Sequence, residues 1–284
     1  MLLSICIPTY NRKKELNTLF RSVDYFGDDI EFVVCDDGST DDTEWLVEDY
    51  SSRFSIKYIY QENHGRALAL KNAIKNASGE FTMLMDSDDY FLPSALEVIL
   101  SNLKEYSEEK CFLFGIEIKS EKGSLKNLPP DKVQSNFIAL RADFGLKKDF
   151  KEVVKSSLLK CCLYEVSCGC RRVPTYLLWS RIAEGSDCLT FSTAVAVKEY
   201  LPGGMTDKIL QLKTTCSIPM MELYELLSRS GRYNSNFYRW RSRLLWARYA
   251  LHARKINLKN WWIPLVLPVA YCLYRFDQHK LNKQ

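Results

Sequence analysis

Residues 81–90 read Phe-Thr-Met-Leu-Met-Asp-Ser-Asp-Asp-Tyr. Mostly apolar residues run straight into three acids, Asp86, Asp88 and Asp89. A short apolar run closed by polar residues reads as a buried strand. That strand ends in a knot of carboxylates. Anions this close raise one another's pKa unless a cation is shared. A hard divalent metal with oxygen ligands is the usual resolution, and Mg²⁺ typically brings substrate phosphates with it.

The same pattern of strand and polar turn recurs upstream. Residues 2–7 (Leu-Leu-Ser-Ile-Cys-Ile) read as a buried strand stopped by Pro8. Glu31 to Asp36 reads as a second strand, and Lys57 to Tyr60 as a third. Between them, Leu16, Leu19, Phe20 and Val23 recur at helical spacing within residues 13–26. Asp41 and Glu44 have the spacing of a capping box for the next helix. Residues 64–77 read as a helix ending near Gly79, and Leu96, Ile99, Leu100 and Leu103 mark the helix after the fourth strand. Alternating strands and helices predict an α/β fold, a mostly parallel central sheet with helices on both faces. Ligands of such sheets bind beyond the carboxyl ends of the strands. Pro8–Arg12, Asp36–Thr40 and Asp86–Asp89 all follow strands, so they are expected to meet at one edge. Further on, Phe112–Ile118 reads as a strand, residues 120–148 as loop and short pieces, and residues 188–200 as a helix. The chain is predominantly helical from Met220.

The formal net charge of +4 hides an asymmetry. Residues 226–284 hold twelve Lys or Arg and one acid, Asp277, so that part carries +11 and residues 1–225 carry −7. Cys6 and Cys35 lie in apolar strands, where a reduced Cys behaves as a small hydrophobe. No secretory leader pattern precedes Ser4, and a reducing, cytoplasmic setting is expected. Cys161, Cys162, Cys168 and Cys170 cluster without the paired C-x₂-C spacing of zinc sites.

No Rossmann or Walker glycine loop is present, so acids and a metal fit the phosphates better than a glycine cradle. Asp86, Asp88 and Glu97 also fall at EF-hand positions, but Phe91 stands where that loop demands Gly. Acids decorating a helix N-terminus are the plainer alternative. The motifs Ser4-Ile-Cys-Ile-Pro-Thr-Tyr-Asn-Arg12, Val33-Val-Cys-Asp-Asp-Gly-Ser-Thr-Asp-Asp-Thr43, Gln61-Glu-Asn-His-Gly65, Ala77-Ser-Gly-Glu-Phe81 and Asp86-Ser-Asp-Asp89 occur in order. Together they resemble family 2 glycosyltransferases of the bacterial surface-polysaccharide type, over roughly the first hundred residues.

The resemblance implies a GT-A fold, a nucleotide-sugar donor of the UDP-sugar type, a Mn²⁺ or Mg²⁺ ion, and inversion at the anomeric carbon. By that resemblance Pro8, Thr9 and Tyr10 line the base and ribose pocket, and Asp37 accepts the imide N–H of uracil. Asp86 and Ser87 approach the donor, Asp86 and Asp88 hold the metal, and Asp89 supports them from behind. Arg66 is read either as a phosphate contact or as a surface arginine, and His64 carries no role. An inverting transfer needs a base for the acceptor hydroxyl, and the resemblance implies an acid roughly a hundred residues past the metal acid. Asp187 stands 99 positions after Asp88 and is preferred as the base over Glu184, with helix capping as its alternative role. The domain reading is a catalytic domain over 1–220, with a nucleotide-binding half (1–110) and an acceptor half (111–220), followed by a helical C-terminal extension over 221–284. The alternative to a transferase is a non-catalytic nucleotide- or carbohydrate-binding scaffold with a degenerate site.

No acid occurs between Leu226 and Phe276, where arginines alternate with aromatics. Phe237, Trp240, Leu244, Ala247 and Leu251 form a helical stripe, and residues 261–274 are uncharged but too short to span a bilayer. A basic, Trp-bordered helix suits an anionic membrane surface, so residues 236–276 are read as a peripheral contact on the inner face of the membrane. A saccharide on a polyprenyl diphosphate is then the expected acceptor. Nucleic acid is not expected as a partner.

Overall fold

The computed structural model describes residues 1–120, 123–146, 149–166, 170–199, 209–257 and 260–282. The chain begins β1 (Leu3–Thr9), α1 (Lys13–Arg21), β2 (Ile30–Asp36), α2 (Thr43–Ser51), β3 (Ile56–Tyr60), α3 (Arg66–Asn76) and β4 (Phe81–Leu84). It continues with β5 (Asp89–Phe91), α4 (Ala95–Glu105), β6 (Cys111–Ser120), β7 (Gly123–Asn127), β8 (Gln134–Ser135), α5 (Phe137–Ala142), β9 (Lys151–Lys155) and α6 (Ser156–Cys161). The remainder is α7 (Thr175–Gly185), β10 (Cys188–Glu199), α8 (Ile209–Thr215), α9 (Ser217–Arg229), α10 (Asn236–His252) and α11 (Ile263–Leu281).

Contacts divide the chain into two units: Met1–Ser135 with Lys147–Leu163 and Ser186–Leu201, and Asn136–Leu146 with Tyr164–Gly185 and Pro202–Gln284. The sequence reading placed a single boundary at residue 220; the contacts instead group α5 and α7 with the C-terminal helices.

The first unit is built on one sheet, ordered β3-β2-β1-β4-β9-β6-β10-β5, with β7 beside β6 and β8 beside β10. Strands β1 to β4 are mutually parallel, β9 runs antiparallel between β4 and β6, and β6 and β10 are parallel. Alternate residues of a strand face opposite sides. Leu3, Ile5 and Ile7 pack in one core with Leu16, Leu19 and Phe20 of α1, Val47 of α2, and Leu96, Ile99 and Leu100 of α4. On the other face lie α3 against β1 and β2, and α6 against β4 and β9. At the amino end, Glu31 accepts from Ser4 Oγ (2.5 Å) and from the Ser78 N–H (2.6 Å). Burial would raise its pKa, but these bonds outweigh burial and hold the carboxyl below its usual range. Gly79 is required there, because a Cβ would meet the Ser4 backbone nitrogen at 2.7 Å.

Two local expectations change. Residues 188–199 form the strand β10, not a helix. Its run of Leu, Thr, Phe, Val and Ala is buried against β6, and an apolar run covered on both faces loses the period that separates strand from helix. Asp42, not Asp41, precedes α2 and makes no side-chain cap; Asp41 instead accepts from the Thr43 N–H at 3.2 Å.

In the second unit, Trp246, Ala247 and Ala250 of α10 pack on Trp262, Ile263, Val266 and Ala270. Asp277, the one acid of the tail, is buried and paired with Arg248 (Nε to Oδ2 2.7 Å) and His252 (2.9 Å). Burial would raise its carboxyl, but bonds from Arg248 and His252 outweigh burial and hold it below the usual range. Removing one partner from such a buried pair typically costs about 3–5 kcal/mol. Of the stripe read on α10, Ala247 is buried whereas Phe237 and Trp240 are exposed. A second apolar row, Leu265, Val269 and Phe276, faces outward from α11 beside the 71% exposed Trp261. Among the described residues, no helix is long and apolar enough to cross a membrane. Cys170 is disulfide-bonded to Cys216, against the expectation of reduced cysteines; Cys168 lies outside the described residues. Cys161 is an exposed free thiol, and no group of three metal-ligating side chains occurs among the described residues.

Candidate active site

Three polar turns leave the carboxyl ends of β1, β2 and β4, and side chains lock them together. Strand register sets Thr9 beside Asp36, and the Asp37 N–H donates to the Thr9 carbonyl (2.9 Å). The Asn11 N–H donates to Ser39 Oγ (2.8 Å), while Asn11 Oδ1 accepts from the Thr40 N–H (2.7 Å). Arg12 Nη1 donates to Asp88 Oδ2 at 2.6 Å, tying the first turn to the third.

Asp37 is buried and holds the chain around residue 64. Its Oδ1 accepts from Gln61 Nε2 (2.8 Å) and the His64 N–H (2.9 Å), and its Oδ2 from the Gly65 N–H (2.8 Å). Gly65 adopts φ +99, a backbone region that disfavours other residues, and so can start α3 from this turn. The next residue, Arg66, reaches Asp86 Oδ1 through Nε (3.0 Å) and also through Nη2. Thus His64, which had no assigned role, contributes its backbone.

The three acids of the cluster differ sharply. Asp86 and Asp88 are partly exposed, with side chains 29% and 27% accessible. Asp89 is buried and bonded to buried Lys151 (2.6 Å). Lys198 stands opposite Asp89 in the β10–β5 register and bonds Asp149 Oδ2 at 2.7 Å. Burial alone would raise the Asp86 carboxyl, but Arg66, Lys198 and Lys151 outweigh it and hold Asp86 far below the usual carboxylate range. For Asp89 burial wins over Lys151, aided by repulsion from Asp86, and the carboxyl is pushed up. Burial would lower Lys198; Asp86, Asp149 and Asp89 together raise it instead. Asp89 Oδ1 and Thr9 Oγ1 are buried with no hydrogen-bond partner among the described residues.

Two exposed carboxylates suit a hard cation that completes its shell with water and phosphate, the usual mode of Mg²⁺. The residues therefore fit a Mn²⁺ or Mg²⁺ ion at Asp86 and Asp88, with the third acid withheld by Lys151. Pro8 and Thr9 lie in buried β1, Tyr10 is 46% exposed beyond it, and Ser87 is buried.

Asp187 is placed elsewhere. It precedes Cys188 at the start of β10, whereas Lys198, near the other end of the same strand, meets the acid cluster. Of the eleven residues between them three are taken up by the shifts in register against β6, and the remaining eight at about 3.3 Å each separate the two by roughly 26 Å. The structure does not bring Asp187 to Asp86 and Asp88. Glu184, three residues earlier, lies in the last turn of α7 and accepts from Ser230 Oγ (2.5 Å). Sequence reading passed over Arg12, Lys151, Asp149 and Lys198. The available signal was a lysine beside an apolar strand run, in Lys151-Glu-Val-Val and Val195-Ala-Val-Lys198.

Residues 4–148, just over half of the chain, match glycosyl transferase family 2. The chain belongs to that family.

Among curated relatives, a GalNAc(5)-diNAcBac-PP-undecaprenol β-1,3-glucosyltransferase of Campylobacter jejuni is 30% identical over 168 residues, covering 56% of this chain and 53% of that protein. The matches span between 16% and 53% of the curated relatives' lengths. Among solved structures, S. aureus TarS 1–349 in complex with UDP-GlcNAc has a TM-score of 0.68 at 18% identity, covering 95% of this chain and 79% of that one. Mannosyltransferase PcManGT of Pyrobaculum calidifontis, in complex with GDP-Man and Mn²⁺, has a TM-score of 0.54 at 19% identity, covering 95% and 73%. The first unit of this family 2 chain has the GT-A architecture.

Proposed function

We propose that this family 2 chain is an inverting, metal-dependent glycosyltransferase that moves a sugar from a UDP donor to a saccharide acceptor in bacterial polysaccharide assembly. The observation that carries the reading is the interlocking of three strand-end turns around Asp86 and Asp88. The UDP-GlcNAc complex of TarS supports the donor class, and the Mn²⁺ complex of PcManGT supports the metal. The undecaprenol-linked substrate in the Campylobacter relative's name supports a lipid-linked acceptor.

A Mn²⁺ or Mg²⁺ ion held by Asp86 and Asp88 would supply Lewis-acid neutralisation of charge on the departing diphosphate. The chain's own residues do the rest. Tyr10 presents an exposed ring for the uracil and ribose, and Pro8 and Thr9 are the buried strand residues that lead to it. Asp37 holds the turn that aims Arg66 and keeps lone-pair capacity for a base N–H. Arg12 and Arg66 bring positive charge to the diphosphate.

The base for the acceptor hydroxyl belongs at the same sheet end. Asp149 presents a half-exposed carboxylate there against Lys198, and takes this role in place of Asp187 or Glu184. UDP release from UDP-sugars, with lipid-linked saccharides as acceptors, tests the assignment. Asp187→Asn is expected to keep transfer, and Asp149→Asn to lose about 10²–10⁴-fold while still binding UDP. The reverse pattern would return the role to Asp187. The scaffold alternative draws its support from the displaced Asp187; sugar transfer by any UDP-sugar excludes it.

The second unit is the membrane contact. Trp261, Leu265, Val269 and Phe276 give an exposed apolar row, and the absence of acids from 226 to 276 matches an anionic surface on the cytosolic side. Wild-type protein is expected to sediment with vesicles containing phosphatidylglycerol, and Leu265→Glu/Val269→Glu to bind at least about tenfold more weakly. Equal sedimentation of the two proteins rules out this face.

A further inference from the structure

Every acid of the cluster already has a cation. Asp88 is held by Arg12 at 2.6 Å, Asp86 by Arg66 through two nitrogens, and Asp89 by Lys151 at 2.6 Å. Lys198 adds a fourth positive charge, balanced in part by Asp149. The three acids and Asp149 thus face four basic side chains, and the local charge is close to neutral. A divalent cation entering this neighbourhood meets carboxylates that are already satisfied and brings two uncompensated charges. A nucleoside diphosphate brings the opposite charge and the kind of oxygens that arginine binds in a fork.

Arg12 is the most exposed cation of this set. Arg12 is a quarter exposed and lies just before α1, where its side chain makes no cap. Lys151, by contrast, is buried on β9 and has nowhere else to go.

We propose that Arg12, with Arg66, is a resident counter-ion of the metal carboxylates that must be handed to the donor diphosphate before a divalent cation can take Asp88 and Asp86. This inference rests on the metal and UDP reading above. It makes metal and donor binding one coupled event. The arginine released from Asp88 moves onto the diphosphate, so each ligand removes the obstacle to the other. By linkage, UDP must raise Mn²⁺ affinity by the same factor by which Mn²⁺ raises UDP affinity. Arg12 is therefore a positioning residue with two opposite effects, unfavourable to the metal alone and favourable to the donor.

Titration of Mn²⁺ into the full chain, followed by calorimetry with and without saturating UDP, tests this. Wild-type protein is expected to bind Mn²⁺ at least about tenfold more tightly with UDP present. Arg12→Gln is expected to bind Mn²⁺ about fivefold more tightly than wild type when UDP is absent, as a partly exposed ion pair of this kind is worth up to about 1 kcal/mol. The same variant binds UDP more weakly, and its Mn²⁺–UDP coupling shrinks. Arg66→Gln, measured in parallel, is expected to shift Mn²⁺ affinity in the same direction through Asp86. If Mn²⁺ binds wild type but Arg12→Gln and Arg66→Gln both bind it equally or more weakly without UDP, the hand-off is wrong while the metal site stands. If Mn²⁺ binds no better than to Asp88→Asn under any condition, the metal reading fails and the hand-off with it.

Discussion

Asp88→Asn is expected to reduce metal-dependent turnover of the UDP-sugar by about a thousandfold, while the protein unfolds at nearly the wild-type temperature. The size follows from the role. A metal's neutralisation of the leaving diphosphate is worth several kcal/mol, and each 1.4 kcal/mol is about tenfold in rate. The amide keeps the shape of Asp88 and loses the charge that holds a cation. Stability is spared because Asp88 and Arg12 are both about a quarter exposed, and such pairs contribute about 1 kcal/mol or less. Initial rates over a range of Mn²⁺ concentrations make the check. Unchanged rates at every concentration would remove Asp88 from the metal site.

Lys151→Met is expected to lose both stability and activity. Lys151 and Asp89 are 8% and 2% exposed and 2.6 Å apart. Removing the ammonium leaves a carboxylate buried without its partner, a change that costs about 3–5 kcal/mol. Burial and Asp86 already push the Asp89 carboxyl up, and loss of the lysine pushes it further in the same direction. Asp89 also begins β5, whose pairing with β10 sets the position of Lys198. Chemical denaturation of Lys151→Met, Asp89→Asn and the double variant gives the coupling directly. The double variant should recover part of the loss, since it removes the stranded charge. A single variant as stable as wild type would mean that the pair is not holding the site.

Much of the donor end was legible in the first hundred residues. Residues 2–7, 31–36 and 81–85 are short apolar runs ended by polar turns, and local pattern suffices to find them, although β1 continues through Pro8 to Thr9. Their convergence follows from parallel pairing in register, Thr9 beside Asp36 and Leu3 beside both Ile30 and Phe81. Residues 188–199 resisted the same reading. Their apolar run is buried against β6 and β5, and only that distant pairing makes it a strand. Taking the run for a helix concealed which end of the sheet Asp187 occupies. The cations were hidden for a related reason. Lys151 and Lys198 come from strands far along the chain, and nothing near them in sequence announces Asp89 or Asp149. Cys170 and Cys216 likewise lie 46 residues apart, so neighbouring cysteines drew attention to the wrong partners.

The account turns on Asp86 and Asp88 holding a nucleotide diphosphate through a divalent cation. Titration of UDP into the protein, once with Mn²⁺ and once with excess chelator, measures this most directly. UDP is predicted to bind at least about tenfold more tightly with Mn²⁺, a difference of 1.4 kcal/mol or more. Equal UDP affinity under the two conditions would contradict it.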